Sequence, residues 1–177
     1  EEVQIEAVSN EPANFIFKID NNQIDVKNNI TTYTYSHVTT ETVGQVNCTI
    51  NVESVSDSED TTLVFSYIIR TATVENPRPS GIIPGINYDP VDNSKATLCL
   101  LAPMKSSVFV LGDFNNYVPS PHYQMYKDGE YFWLTLTGLT TGEEYAYQYL
   151  VDETIYVADP FADKILDPDD QYIPSSI

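Results

Sequence analysis

The 177-residue chain carries 26 acidic and 8 basic residues, a formal net charge of -18. Such a field repels phosphate backbones and anionic lipid surfaces, which excludes nucleic acid as a natural partner. Apolar residues make up 42% of the chain and include 13 Tyr and 7 Phe, enough to exclude general disorder and to fill β-sheet cores.

No run approaches the roughly 20 apolar residues of a membrane span, so no membrane insertion by this chain is expected. The opening Glu1-Glu2-Val3 has no initiator Met, basic patch or apolar h-region. The expectation is a processed or trimmed chain whose targeting segment, if any, has been removed. Cys48 and Cys99 both fall in strand-like runs and read as buried thiols rather than a bridge. With no CxxC pair, and with His37 and His122 far apart, zinc has no ligand set. No cofactor is implied.

In chain order, residues 3–9, 14–20, 23–26 and 31–38 are predicted as short strands, punctuated by Asn21-Asn22 and Asn28-Asn29. From Val46 onward, Val46, Cys48, Ile50 and Val52 alternate with Asn47, Thr49, Asn51 and Glu53, the period of a strand with one dry face. A turn over 56–60 then leads to a strand over 62–74. Short strands, polar turns and no helical pattern predict a small immunoglobulin-like sandwich over residues 1–79.

Residues 75–90 hold four prolines and two glycines, which interrupt helix and interior strand alike, and this segment reads as the inter-domain connection. A second domain is predicted over 80–177, with strands over 95–103, 106–112 and 130–139. In the last of these, Phe132, Leu134 and Leu136 form the core face and Tyr131, Trp133 and Thr135 the other. Residues 143–159 predict a hairpin turning at 152–154, with Tyr145, Tyr147 and Tyr149 on one face. The acidic, proline-broken stretch from Pro160 onward is expected to be irregular chain lying over the sandwich. The fold class is therefore all-β, two β-sandwich domains in tandem.

Four blocks of the second domain carry more than a pattern of strands. Gly112 ends an apolar strand where a tight turn favours a residue without Cβ. Phe114 is expected to plug the core, Asn115 and Asn116 to bond turn backbone through their amides, and Tyr117 to sit at the loop edge. With Gly129 to Trp133, Tyr145 to Asp152 and Asp159-Pro160-Phe161-Ala162, this order resembles the early-sandwich module that precedes the barrel in α-amylase-family enzymes such as pullulanases, isoamylases and branching enzymes. The same fold serves as a glycogen-binding module of a kinase regulatory subunit. The surrounding wording is similar to α-amylase-family proteins of gut Bacteroidetes, in which a small β-domain, this sandwich and a catalytic barrel follow in turn.

The resemblance implies a non-catalytic accessory region of an extracytoplasmic, secreted or cell-surface starch- or glycogen-degrading enzyme. Its partners would be a C-terminal catalytic barrel and α-1,4-glucan. In the glycogen-binding relatives a tryptophan stacks on a sugar where Tyr117 stands, and a basic residue occupies the position of Gln148. A second aromatic platform lies near Ile155, just past an Asp-Gly turn that here reads Asp152-Glu153. With Asn116 alongside, Tyr117 and Gln148 are the candidate sugar contacts. The departures leave three readings open: a brace for the barrel, an autonomous glucan-binding module, or a structural or adhesive sandwich pair with no ligand.

A glycosidase needs two carboxyls roughly 5 to 9 Å apart across the scissile bond. Glu143-Glu144, Asp159, Asp163 and Asp167 are adjacent acids or lie on turn-like chain, and no catalytic residue is assigned. Asp163, Asp167, Asp169 and Asp170 miss the spacing of a calcium loop. His37, Tyr33 and Tyr35 read as ordinary packing, as does Trp133, against a neighbouring strand or the irregular tail. Asp159 is expected to cap local backbone, with Pro160 beside it and Phe161 buried.

Overall fold

The computed structural model describes residues 2–38, 43–56 and 59–166. The chain divides into two units, Glu1–Arg70 and Thr71–Ile177. Both are all-β and sandwich-like, built from antiparallel sheets, and among the described residues helix is confined to two single 3-10 turns.

In the first unit, β1 (Glu2–Ile19), β2 (Asn22–Val38), β3 (Gly44–Ser54) and β4 (Asp60–Ile69) form one antiparallel sheet in the order β2-β1-β3-β4. The four strands predicted over 3–38 are thus two long ones. Asp20 and Asn21, at φ 46° and 66°, make the two-residue turn between them, a left-handed pair that short polar side chains tolerate. Asn28-Asn29 is not a turn. Asn29, at φ 56°, sits in a bulge where β2 gains a residue on β1, and Asn14 Oδ1 accepts its backbone N–H at 3.2 Å.

One sheet supplies both layers of this unit. Phe15 and Tyr33 stack with centroids 5.6 Å apart, and Phe17 lies 5.1 Å from Tyr35. The partner of Tyr33 across the ladder is Ala7, and eight residues of straight strand would hold Ala7 about 26 Å from Phe15. The sheet therefore folds over, and the fold lies where the β1–β2 register breaks between Val8 and Ala13. Inside it, Ile5, Ala7, Ala13, Phe15, Phe17 and Ile19 of β1 meet Tyr33, Val46, Cys48 and Ile50. Their period of two marks a single inward face.

In the second unit, β5 (Gly85–Tyr88), β6 (Ala96–Leu101), β9 (Tyr131–Leu136) and β8 (Tyr126–Asp128) form one sheet in that order. The facing sheet is β11 (Ile155–Val157), β10 (Tyr147–Val151) and β7 (Val108–Gly112). Leu98, Leu100, Phe132, Leu134 and Leu136 pack against Val108, Val110, Tyr149 and Val151 between them. β5 and β8 fall outside the predicted strands, β5 within the proline-rich segment.

The division between units falls at Arg70/Thr71 rather than after Pro79. Residues 71–79 belong to the second unit because its sheet captures them. Asn76 N–H donates to Lys127 O at 2.8 Å, Lys127 N–H to Val74 O at 3.0 Å, and the Trp133 indole N–H to Asn76 O at 2.8 Å. The Arg78 guanidinium lies 3.6 Å from the centre of the Tyr131 ring. Trp133 is accordingly 8% exposed, covered by this entering segment and by Tyr126, whose ring centre is 5.0 Å away. Cys48 and Cys99 are both buried and carry no disulfide.

Candidate functional site

The loop after β7 is held from inside. Asn115 accepts the Gly112 N–H through Oδ1 and donates to Val110 O through Nδ2, each at 2.8 Å, and so ties the first 3-10 turn (Asp113–Asn115) to the strand it leaves. Gly112 has an extended φ of -173°, which any residue adopts. Its requirement is space: a Cβ there would meet Ala146 O at 2.6 Å and the Phe114 ring at 2.8 Å. The freedom from Cβ expected for a turn is thus used for a close approach. Phe114 is part-buried against the core, 5.3 Å from the Tyr123 ring.

Asn116 and Tyr117 follow at φ 52° and 57°, two consecutive left-handed residues that turn the chain back. Asn116 is exposed, and Tyr117 N–H donates to Gly112 O at 3.1 Å. The Tyr117 hydroxyl lies 3.3 Å from Asp113 Oδ1 and 3.2 Å from Ala146 O, while Asp113 Oδ2 accepts the Ala146 N–H at 2.7 Å. Burial, and after it the Asp113 carboxylate, push the Tyr117 hydroxyl up to about 12. Tyr117 is therefore a neutral, half-buried ring fixed at the N-terminal end of β10.

Gln148 lies on β10 opposite Leu111, its side chain on the face away from Tyr147, Tyr149 and Val151. Tyr156 pairs with Leu150 and is 62% exposed, so it lies on the same face as Gln148 and is its diagonal neighbour, while Leu111 and Leu150 on that face are buried. Ile155 pairs with Val151 and has the opposite parity. The β10–β11 turn sets which of Ile155 and Tyr156 takes that face. It spans three residues, Asp152 and Glu153 at φ 47° and 59° and then Thr154, whose N–H donates to Val151 O at 3.2 Å. One residue more or less in a hairpin exchanges the two faces of the following strand.

Beneath β10 lies a polar knot. Asp159 is 2% exposed, and its Oδ2 accepts the hydroxyls of Tyr147 at 2.6 Å and Tyr149 at 3.0 Å, while Oδ1 accepts the Phe161 N–H at 2.9 Å. Burial and then the Asp159 carboxylate hold both phenols far above the usual tyrosine range. Pro160 occupies the turn closed by Ala162 N–H on Asp159 O at 3.2 Å. Phe161, expected to be buried, is 60% exposed. The turn and the Asp159 bond fix its backbone against Gly85, where a Cβ would fall 2.7 Å from the Phe161 Cβ, and the ring projects outward.

Among the other candidates, Glu144 pairs with Lys164 at 3.0 Å and Glu143 accepts the Tyr145 hydroxyl at 3.1 Å. Asp163 is exposed, and residues 167–170 of the acidic run lie outside the described residues, as does the His37 side chain. Among the described residues no three His, Cys, Asp or Glu side chains gather as a metal site, and no helix is long and apolar enough to cross a membrane.

These features define a β-sandwich module with a ring on the loop beside the start of β10, an amide on β10 and a second ring on the neighbouring β11. Residues 85–162, which contain all three, match the family model of carbohydrate-binding module 48, the isoamylase N-terminal domain. The chain thus carries a module of that type in its second unit. A search of curated proteins finds no match to the chain.

Proposed function

We propose that this chain is the non-catalytic accessory region of a starch- or glycogen-degrading enzyme, and that its second unit contacts α-glucan along β10. The observation that carries the reading is the row of Tyr117, Gln148 and Tyr156 inside the matched module. Tyr117 is anchored beside Ala146, Gln148 follows two residues on, and Tyr156 stands opposite Leu150. From 146 to 150 the strand advances about 13 Å, the scale of a short run of sugar rings. Aromatic planes cover the apolar C–H face of a hexose, and the Gln148 amide offers both a donor and an acceptor to hydroxyls between them. A neutral polysaccharide is indifferent to the acidic field that repels nucleic acid.

Bracing a C-terminal catalytic barrel is the second part of this reading. Exposed Phe161 and Ile165, 60% and 61% accessible at the end of the module, supply apolar surface for it. An extracytoplasmic or surface location, where polymeric glucan is met, belongs to the same reading. Native affinity electrophoresis in gels with soluble starch tests the glucan contact, using the chain and its Tyr117→Ala and Tyr156→Ala variants. Retardation by starch, weakened about tenfold by Tyr156→Ala, is expected from the loss of about 1.4 kcal/mol of stacking. Unchanged mobility of the parent chain at high starch leaves the brace alone.

A further inference from the structure

The inner face of the β5-β6-β9-β8 sheet outruns the sheet that covers it. At one end β7 and β10 stop at Gly112 and Tyr147. On the opposite sheet the inward positions continue, with Ile86 facing Leu98 and Tyr88 facing Ala96. Tyr88 shares the parity of the core-packed Ile86, yet it is 75% exposed, because no strand lies over it among the described residues. A groove of about 880 Å³ opens there, floored by Ile86, Leu98 and Ala96 and walled by residues 139–146, 162–164 and 166. The hydroxyl of Tyr145 stiffens the first wall, accepting the Thr140 N–H at 2.9 Å and donating to Glu143 Oε2 at 3.1 Å.

The charges of the walls select a ligand class. Both lysines of the groove are engaged, Lys95 with Asp92 at 2.8 Å and Lys164 with Glu144 at 3.0 Å. Asp89, Asp113, Glu143 and Asp163 leave the groove acidic, which opposes phosphates, carboxylates and anionic sugars. What it offers instead is an apolar floor, an exposed phenol and acceptor-rich walls, with the exposed Asn93, Thr140 and Thr141 among them. That combination suits a neutral polyhydroxylated ligand with apolar C–H faces. We infer that the groove is a second oligosaccharide subsite, distinct from the β10 row, that takes a short neutral glucan segment over Tyr88.

This inference rests on the glucan reading for its ligand but on different residues for its site. The test is a titration of the isotopically labelled chain with maltoheptaose, following backbone amide shifts in wild type, Tyr88→Ala and Tyr156→Ala. Tyr88 is largely exposed, so its truncation spares the core. Expected are saturable shifts at 86–89 and 139–146 that survive Tyr156→Ala and weaken at least tenfold in Tyr88→Ala, while those at 148–156 behave in the reverse way. Shifts confined to 148–156, or groove shifts that vanish in Tyr156→Ala, overturn the second subsite and leave the β10 site standing. Shifts confined to the groove uphold the subsite and remove the β10 site, and no shift anywhere removes both. Trigalacturonate, with a carboxylate on each ring, is expected to leave the groove amides unmoved; binding as tight as that of maltoheptaose overturns the charge argument.

Discussion

Replacing Asp159 by alanine removes the acceptor of three hydrogen bonds from a site that is 2% exposed. Each bond to a buried carboxylate contributes about 1.5–3 kcal/mol, and a buried donor left unpaired costs about 1–3 kcal/mol. The phenol of Tyr149 is wholly buried and loses its acceptor outright, whereas the half-buried Tyr147 can turn to water. The expected loss is about 3–5 kcal/mol for Asp159→Ala and about half that for Asp159→Asn, whose amide keeps one accepting oxygen but sets an NH2 donor where the other carboxylate oxygen accepted. Tyr149→Phe removes the orphan, so in the double variant the two losses fail to add by about 1–2 kcal/mol. Urea denaturation followed by fluorescence of Trp133, the only tryptophan, reads the second unit alone. A loss below about 1 kcal/mol in Asp159→Ala, or strict additivity with Tyr149→Phe, would refute the knot as described.

Gly85→Ala is expected to lower the same unit's stability by about 2–3 kcal/mol, since Gly85 sits at φ 98° and a Cβ would fall 2.7 Å from that of Phe161; the urea midpoint reads this. Burial raises the Asp152 carboxyl, but the N–H groups of Ser106 and Ser107 and the Lys105 ammonium outweigh it and hold it below the ordinary range. Its contribution is therefore complete above about pH 4 and lost as pH falls through the depressed folded value, a loss that Asp152→Ala is expected to abolish in acid melts. In the first unit, burial and then Asp25 raise the Tyr33 hydroxyl. The neutral phenol favours the fold up to about pH 10, and that contribution declines as pH rises toward the folded value, so Tyr33→Phe is expected to flatten the alkaline limb of stability followed by far-ultraviolet circular dichroism. At neutral pH the same substitution costs about 1 kcal/mol through the lost 3.2 Å bond to Asp25 Oδ2.

Alternation in the sequence determined the all-β class and the dry faces of Val46-Cys48-Ile50 and Phe132-Leu134-Leu136, because strand parity is a local property that burial then enforces. The ordered blocks from Gly112 to Ala162 likewise located the module that the family match covers. Tertiary structure alone decided the rest. That one sheet supplies both layers of the first unit depends on Phe15 reaching Tyr33, a contact between residues that a straight ladder would separate. Residues 71–79 join the second unit through hydrogen bonds between Val74 and Asn76 and two strands some 50 residues on, which no local composition encodes. Tyr156 rather than Ile155 shares the face of Gln148 because a three-residue turn with two left-handed residues sets the parity of β11. Phe161 is turned outward by a backbone pinned to Asp159 and pressed on Gly85. Side-chain hydrophobicity and local period are written residue by residue, whereas register, sheet curvature and the covering of a face are sums over distant pairs, settled only when the chain packs.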